Sequence, residues 1–242
     1  MNWWENFFDK DYIKFWKTVN FERTENEVKG IINLLNLKGN EEILDVPCAQ
    51  GRIAIRLAEL GYTTTGLDYS EYLINLALSQ SKHLDNCNFV VDDMRRFSST
   101  RDFDTVLGIF SPLGMFGKRE DDISFIEAVY NTLKEGGKFL LDNMHRDYII
   151  TLSGKNEWWE IDNTYLMEKR EFDFVNSISY SKLFWFEDGL WKEKNAYTKV
   201  YSVEEIIQLL QDCNFRIDAY YGDYNGKRFS LSDPRIIIVA TK

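Results

Sequence analysis

Cysteine, histidine and proline are scarce in this 242-residue chain, with three, two and three copies. Cys48, Cys87 and Cys213 lie far apart with no Cys-x-x-Cys pair, and His83 and His145 stand alone, so no structural metal site is expected. An odd, sparse cysteine count suits a reducing compartment, and a cytoplasmic location is expected. No apolar run approaches the roughly 18–20 residues that cross a bilayer. The opening stretch MNWWENFFDKDY carries acids where a secretion signal carries positive charge. Basic residues are also short, 29 against 39 acidic ones, for a net charge of −10. Neutralising phosphates takes Lys and Arg, so neither nucleic acid nor an anionic membrane surface is an expected partner.

Apolar residues are plentiful at 44%, enough for a folded core, and the length fits one domain or one domain with an insertion. Aromatic residues make up 15% and are unevenly placed. One concentration includes Trp3, Trp4, Phe7, Phe8, Tyr12, Phe15, Trp16 and Phe21; the other runs from Trp158 to Tyr201.

Between these concentrations short apolar strands alternate with helical stretches. Helices are predicted over 9–19 and 22–36, then a strand over 42–46, a helix over 52–60 and a strand over 62–67 with Asp68 at its end. Ser70 is placed as the N-cap of a helix reaching about Leu84. Strands over 88–91 and 103–110, a helix over 121–133 and a strand over 138–142 follow. This alternation predicts parallel βαβ units in an open sheet with helices on both faces. From Trp158 to Val200 the pattern changes to successive extended segments with an Asp188-Gly189 turn, which predicts an antiparallel meander. Ser202 and Glu205 form a capping box before a helix over 203–213, and strands over 215–221 and 235–241 close the chain. The expected organisation is an N-terminal helical lid over 1–36, a Rossmann-like domain over 37–150 and 201–242, and an antiparallel insertion over 151–200.

The informative stretch is Ile43-Leu-Asp-Val-Pro-Cys-Ala-Gln-Gly-Arg52, followed by Gly66-Leu-Asp-Tyr-Ser70. An acid at the tip of the first strand precedes a tight turn that opens a helix, and a second acid stands at the tip of the next strand. In open α/β sheets ligands bind at the carboxyl ends of the strands, where strand order reverses. A carboxylate there suits the two hydroxyls of a ribose, and the turn and helix N-terminus suit an anion.

On these residues the chain resembles the class I S-adenosylmethionine-dependent methyltransferases, of the small-molecule type with an antiparallel insertion after the fifth strand. The resemblance spans essentially the whole chain. It implies a mostly parallel seven-stranded sheet and S-adenosylmethionine as cofactor. Asp68 matches the family's ribose-binding acid, Asp93-Met94 the segment at the adenine edge, Phe110-Ser111 the wall beside the methionine moiety, and Leu133-Lys-Glu-Gly-Gly137 the family's Leu-Lys-Pro-Gly-Gly. It further implies cofactor contacts from Asp45, Pro47, Cys48, Ala49, Gly51 and Tyr69, with Tyr12 and Arg23 reaching the methionine end from the lid. Pro47 and Ala49 replace the first two glycines of the family's first motif, while Gly51 is kept.

The acceptor is expected beyond the fourth and fifth strands. His145, beside the tip of the fifth strand, is the candidate catalytic base, since histidine exchanges a proton near neutral pH. Asn143, Arg146, Tyr148 and Trp158 are the candidate substrate contacts. The aromatic meander is read as either a wall of the substrate pocket or the surface of a homodimer. A small-molecule methyl acceptor at nitrogen, oxygen or carbon is the expected partner. A non-catalytic cofactor-binding regulator and a nicotinamide-dependent reductase are the alternatives, the second weakened by the missing G-x-G-x-x-G.

Overall fold

The computed structural model describes residues 2–15, 21–99, 102–161 and 163–242. Its centre is a seven-stranded sheet built from β1 (Glu42–Asp45), β2 (Thr63–Asp68), β3 (Cys87–Val91), β4 (Phe103–Gly108), β5 (Leu133–Met144), β10 (Arg216–Tyr221) and β11 (Arg235–Thr241). The spatial order is β10-β11-β5-β4-β1-β2-β3. Strands β1 to β5 pair in parallel, and β11 runs antiparallel to both β5 and β10. The fold class expected from the alternation and from the family resemblance is therefore the one observed.

The strands are apolar on both sides because helices cover both faces. Ile43, Leu107, Leu140 and Ile237 face one way, onto Val28, Ile31 and Leu35 of α3 (Phe21–Leu35) and Ile53 and Leu57 of α4 (Arg52–Glu59). Their chain neighbours Leu44, Val106, Leu141 and Ile238 face the other way, onto Phe125, Ile126 and Val129 of α6 (Arg119–Thr132) and Ile206, Leu209 and Leu210 of α8 (Val203–Asp212). Helix α5 (Glu71–Gln80) starts where Ser70 caps it, accepting from Leu73 N at 3.3 Å, and α8 starts with the predicted Ser202–Glu205 capping box. Both sequence signals gave the correct helix starts.

The predicted meander is a separate four-stranded antiparallel sheet, β6 (Asn156–Ile161), β7 (Thr164–Asp173), β8 (Ile178–Glu187) and β9 (Leu190–Lys199), paired in chain order. Two short helices were not foreseen, α1 (Trp3–Phe7) and α7 (Arg146–Ile150). The helix expected over 9–19 is seen as α2 (Lys10–Phe15), and its remainder, Trp16 included, lies outside the described residues. The fifth strand is longer than its apolar core indicates, because Leu133–Gly137 continues the pairing past a register irregularity opposite Phe103 and Thr105.

The second sheet is anchored to the first at Gly114. Lys199 N donates to Gly114 O at 3.0 Å, and Gly114 N donates to the buried Asp122 at 2.8 Å. Gly114 has φ +84, and a Cβ there would sit 1.8 Å from the Lys199 carbonyl oxygen. Gly114→Ala combines a left-handed backbone with a backbone clash, and is expected to cost about 3 kcal/mol or more. Chemical denaturation checks this; a loss below about 1 kcal/mol would show that the two sheets part here without penalty.

Candidate active site

The first two strand tips are joined by one carboxylate. After β1 the chain turns through Pro47 to Gly51, with Cys48 N bonded to Leu67 O and Gly51 N to Cys48 O, both at 2.9 Å. Ala49 lies in the left-handed region at φ 49, where a Cβ is disfavoured. Its N–H donates to Asp68 Oδ2 at 2.8 Å, and Ser70 N donates to Asp68 Oδ1 at 2.9 Å. Gly51 caps α4 at φ 76, and a Cβ there would meet the Phe89 ring at 2.5 Å, so glycine is required.

Beyond these tips lies a cavity of about 920 Å³. Its first end is formed by Ala49, Asp68, Tyr69, Asp93 and Met94. Its middle is walled by Ile109, Phe110, Met115 and Met144, and its far end by inward side chains of β7, β8 and β9. Trp3, Trp4, Phe7, Phe8 and Tyr12 of the N-terminal segment also line it. A smaller recess of about 40 Å³, lined by Tyr12, Asp45, Cys48, Arg52 and Phe110 among others, opens at the same turn.

Burial sets the charge states. It pushes the Asp45 carboxyl up to about 7 against the pull of Arg52 and the Ala54 N–H. Burial also raises Asp68, opposed by N–H donors of Ser70, Ala49 and Tyr69, and it raises the Tyr12 phenol, which faces Asp68. At Asp93 burial is outweighed by Arg95, which grips both carboxylate oxygens at 3.0 and 2.7 Å and holds the group below its ordinary range. Arg95 also reaches Asp121 at 3.1 Å and packs over Phe116 and Trp4.

At the tip of β4, Phe110 (φ 76) and Ser111 (φ 68) both occupy the left-handed region, a costly backbone state that the surroundings must hold. Ser111 N donates to Asp142 O at 2.8 Å, and Ser111 Oγ accepts from Met144 N and from Arg235, each at 3.0 Å. Arg235 in turn donates to Asp142 Oδ1 at 2.5 Å and packs over the Phe110 ring at 4.7 Å. Arg23 lies over the same ring at 5.6 Å.

Of the residues singled out for the cofactor, the structure gathers Tyr12, Pro47, Ala49, Asp68, Tyr69, Asp93, Met94 and Phe110 on the large cavity, and Asp45 and Cys48 on the adjoining recess. Gly51 stands behind as the helix cap, and Arg23 approaches through Phe110. The acceptor candidates need correction, since none of them lines the cavity. His145 is 1% exposed, its Nδ1 bonded to Asp233 O at 2.9 Å and its ring packed on Phe229. Asn143 is buried and accepts from Leu113 N at 3.2 Å. Arg146 turns to Asp147 and Glu205. Tyr148 does not line the cavity. Trp158 is 66% exposed, on the opposite face of the second sheet from the cavity residues. The strand-tip reasoning took neighbours in sequence for neighbours in space: α7 brings Ile149 to the cavity and leaves His145, Arg146 and Tyr148 off its wall.

The end of the cavity at the second sheet is lined by Glu168, Arg170, Ser179, Ser181 and Thr198, and Arg235 lines it beside Phe110; the sequence reading singled out none of these. Strand alternation in the meander could have indicated which residues share a face, but not which face meets the first sheet. Among the described residues no cluster fit to hold a metal occurs, and no helix is long and apolar enough to cross a membrane.

Residues 43–137 match the model of a methyltransferase-domain family. YqeM of Bacillus subtilis (strain 168), whose name gives it provisionally as a methyltransferase, is 26% identical over 211 residues, 83% of each chain. The crystal structure of an S-adenosylmethionine-dependent methyltransferase from Clostridium acetobutylicum superposes with a TM-score of 0.83 at 20% identity, over 96% of this chain and 99% of that one. CalS10 of Micromonospora echinaspora, an amino pentose methyltransferase solved with S-adenosylmethionine bound, gives 0.71 at 16% identity, over 91% and 90%. Residues 43–137 thus match a methyltransferase domain, and the sheet order with a cavity at its carboxyl edge gives the chain the fold of the S-adenosylmethionine-dependent methyltransferases it superposes on.

Two measurements probe the turn. Ala49→Gly relieves the left-handed strain but adds unfolded-state freedom, and a net gain of about 0.5–1 kcal/mol is expected in chemical denaturation; a loss would mean the alanine methyl packs productively. For Asp45, the folded carboxyl titrates at about 7 and the free one at 3.8. The folded state therefore keeps the proton longer, and the group's contribution is full at low pH and lost as pH rises from about 4 to about 7. Asp45→Asn removes this loss, so the melting temperature of the variant relative to the native chain should climb across that window. A flat difference would contradict the burial-driven shift.

Proposed function

We propose that this enzyme methylates a small molecule at nitrogen, oxygen or carbon. The observation that carries this reading is the continuity of the cavity from Asp68 to the inner face of the second sheet. One end offers a carboxylate for vicinal hydroxyls, and the other offers an enclosed polar wall too narrow for a folded macromolecule. The amino pentose acceptor of CalS10 supports a compact acceptor by analogy of fold.

The cofactor fits the residues present. Asp68 accepts one N–H on each oxygen and retains acceptor capacity toward the cavity, which suits the ribose hydroxyls. The Asp93 carboxylate is committed to Arg95, which leaves the Asp93-Met94 backbone and the apolar Met94 side chain to meet the adenine. Tyr12, Phe110 and Arg23 are assigned to the methionine end, and Asp45 with Arg52 to the floor of the turn. When bound, S-adenosylmethionine supplies an electrophilic methyl on a positively charged sulfur. The chain's own task is then to align acceptor and methyl and to exclude water. Ile109, Phe110, Met115, Met144 and Ile149 provide the dry wall. The guanidinium groups of Arg23 and Arg235 pack over the Phe110 ring at 5.6 and 4.7 Å and help hold it in place.

Titration calorimetry with S-adenosylmethionine and S-adenosylhomocysteine tests the assignment of the site. Asp68→Ala is expected to weaken both by more than about tenfold, from lost charge-assisted hydrogen bonds. An unchanged affinity would move the ribose contact to another group.

A further inference from the structure

The second sheet presents an inner face whose chemistry selects among acceptors. Register places Glu168 and Arg170 of β7 beside Leu183 and Ser181 of β8, and Ser181 beside Ala196 of β9. Glu168, Arg170 and Ser181 all line the cavity, and the Glu168 side chain is 11% exposed. Glu168 Oε2 accepts from Arg170 Nη2 at 2.6 Å, and Oε1 accepts from the Ser181 hydroxyl. Arg170 is also paired with Glu157 of β6 at 3.3 Å, which register sets directly beside Glu168. Two carboxylates thus share one guanidinium, leaving one negative charge on this wall.

Among the described residues, the other cations near this wall are already paired: Lys194, which register sets beside Leu183 on the same face, pairs with Asp9 at 2.9 Å. Across the cavity Arg235 is bound to Asp142. Arg96, the remaining lining guanidinium, sits at the first end of the cavity, 3.8 Å from Asp93. An anionic acceptor would meet only cations already paired, whereas a cationic acceptor meets a surplus carboxylate whose oxygens keep unused lone pairs.

On the reading that this cavity performs methyl transfer, we propose that Glu168 holds the amino group of the acceptor and takes its proton, so that the acceptor is a primary or secondary amine. The acceptor arrives as an ammonium hydrogen-bonded to Glu168. One N–H bond breaks and its proton passes to a carboxylate oxygen. The freed nitrogen lone pair forms the N–CH3 bond as the S–CH3 bond breaks, and that bond's electron pair stays on sulfur, which becomes a neutral thioether. The product leaves as the N-methylated ammonium, and Glu168 returns its proton to solvent. Ser181 and Arg170 orient the carboxylate throughout.

The test uses the full chain saturated with S-adenosylhomocysteine and two probes of one shape, cyclohexylammonium and cyclohexanol, with binding followed by ligand-observed NMR at neutral pH. The native chain is expected to prefer the amine by about tenfold, and Glu168→Gln to abolish that preference. Glu157→Gln, which removes the surplus charge while leaving Glu168 in place, is expected to cut the preference about threefold. Equal binding of both probes by the native chain, or a preference that survives Glu168→Gln, would overturn the proposal. S-adenosylhomocysteine affinity is measured on the same samples. If the native chain fails to bind it, the methyl-transfer reading of the cavity falls; if binding persists while the amine preference is absent, only the role of Glu168 falls. Should Glu168→Gln lose S-adenosylhomocysteine binding, the Glu157→Gln ratio decides, and an unchanged ratio refutes the charge argument.

Discussion

The Asp68 carboxylate is the contact on which the binding edge of this protein depends. A carboxylate nine-tenths buried at a strand tip is costly unless donors surround it. Here the donors are main-chain N–H groups from two different βα turns, Ala49 on one oxygen and Ser70 on the other. That bridge fixes the separation of the first and second strand tips. It also offsets the strain of an alanine in the left-handed region, which explains how the turn keeps its course without a glycine at this position. The same carboxylate faces the cavity, so the group that organises the apo turn is the one positioned to meet a ligand.

Around this edge the enclosure comes from three parts of the chain that are distant in sequence. The parallel sheet supplies the tips, the antiparallel sheet supplies the far wall, and the N-terminal aromatic segment spans the two. That segment is tied to both sides. Ser70 Oγ donates to Phe8 O at 2.8 Å on the cofactor side, and Trp3 Nε1 donates to Met115 O at 3.1 Å. On the sheet side Lys194 pairs with Asp9 at 2.9 Å and donates to the carbonyls of Asn6 and Phe7. Aromatic residues that the sequence leaves without an apolar partner are thereby packed: Trp4 meets Tyr69 and Phe116 edge-on, and Phe8 meets Tyr12. A segment held by a handful of polar contacts and aromatic edges is suited to admit ligand by loosening as a unit.

Much of the first sheet was legible because its signals are local. Strand length, helix period, the Ser70 cap and the Ser202–Glu205 box are all read within a few residues, and Asp68 falls at its tip by counting. The end of the cavity at Ala49 and Asp68 was legible for the same reason, since two consecutive turns build it. The end at the second sheet was not. Its residues come from three strands of an insertion whose orientation depends on the Gly114–Lys199 anchor, a contact between segments 85 residues apart that no periodicity announces. His145 illustrates the error from the other direction. It follows the tip of β5 in sequence, yet Asp233 and Phe229 from the polar loop before β11 capture its ring. Arg235, from the start of β11, reaches the cavity instead because that strand runs antiparallel and its beginning lies beside the end of β5.

The charge of the cavity bears on how such a site accelerates methyl transfer. Seven carboxylates line it against three guanidinium groups. Positive charge on the cofactor's sulfur is lost as the methyl moves, so an uncompensated carboxylate beside that sulfur would stabilise the ground state more than the transition state and slow the reaction. The structure limits this by pairing the acids nearest the strand tips. Asp68 is satisfied by main-chain N–H groups, Asp93 by Arg95, Asp9 by Lys194, and the Asp142 beneath Phe110 by Arg235 and Tyr224. The wall between the two ends is left to Ile109, Phe110, Met115 and Met144, where the aromatic face tolerates a cation without holding it as an ion pair would. Negative potential thus draws a cationic cofactor into the cleft at long range, while the wall between the two ends carries no charge of its own.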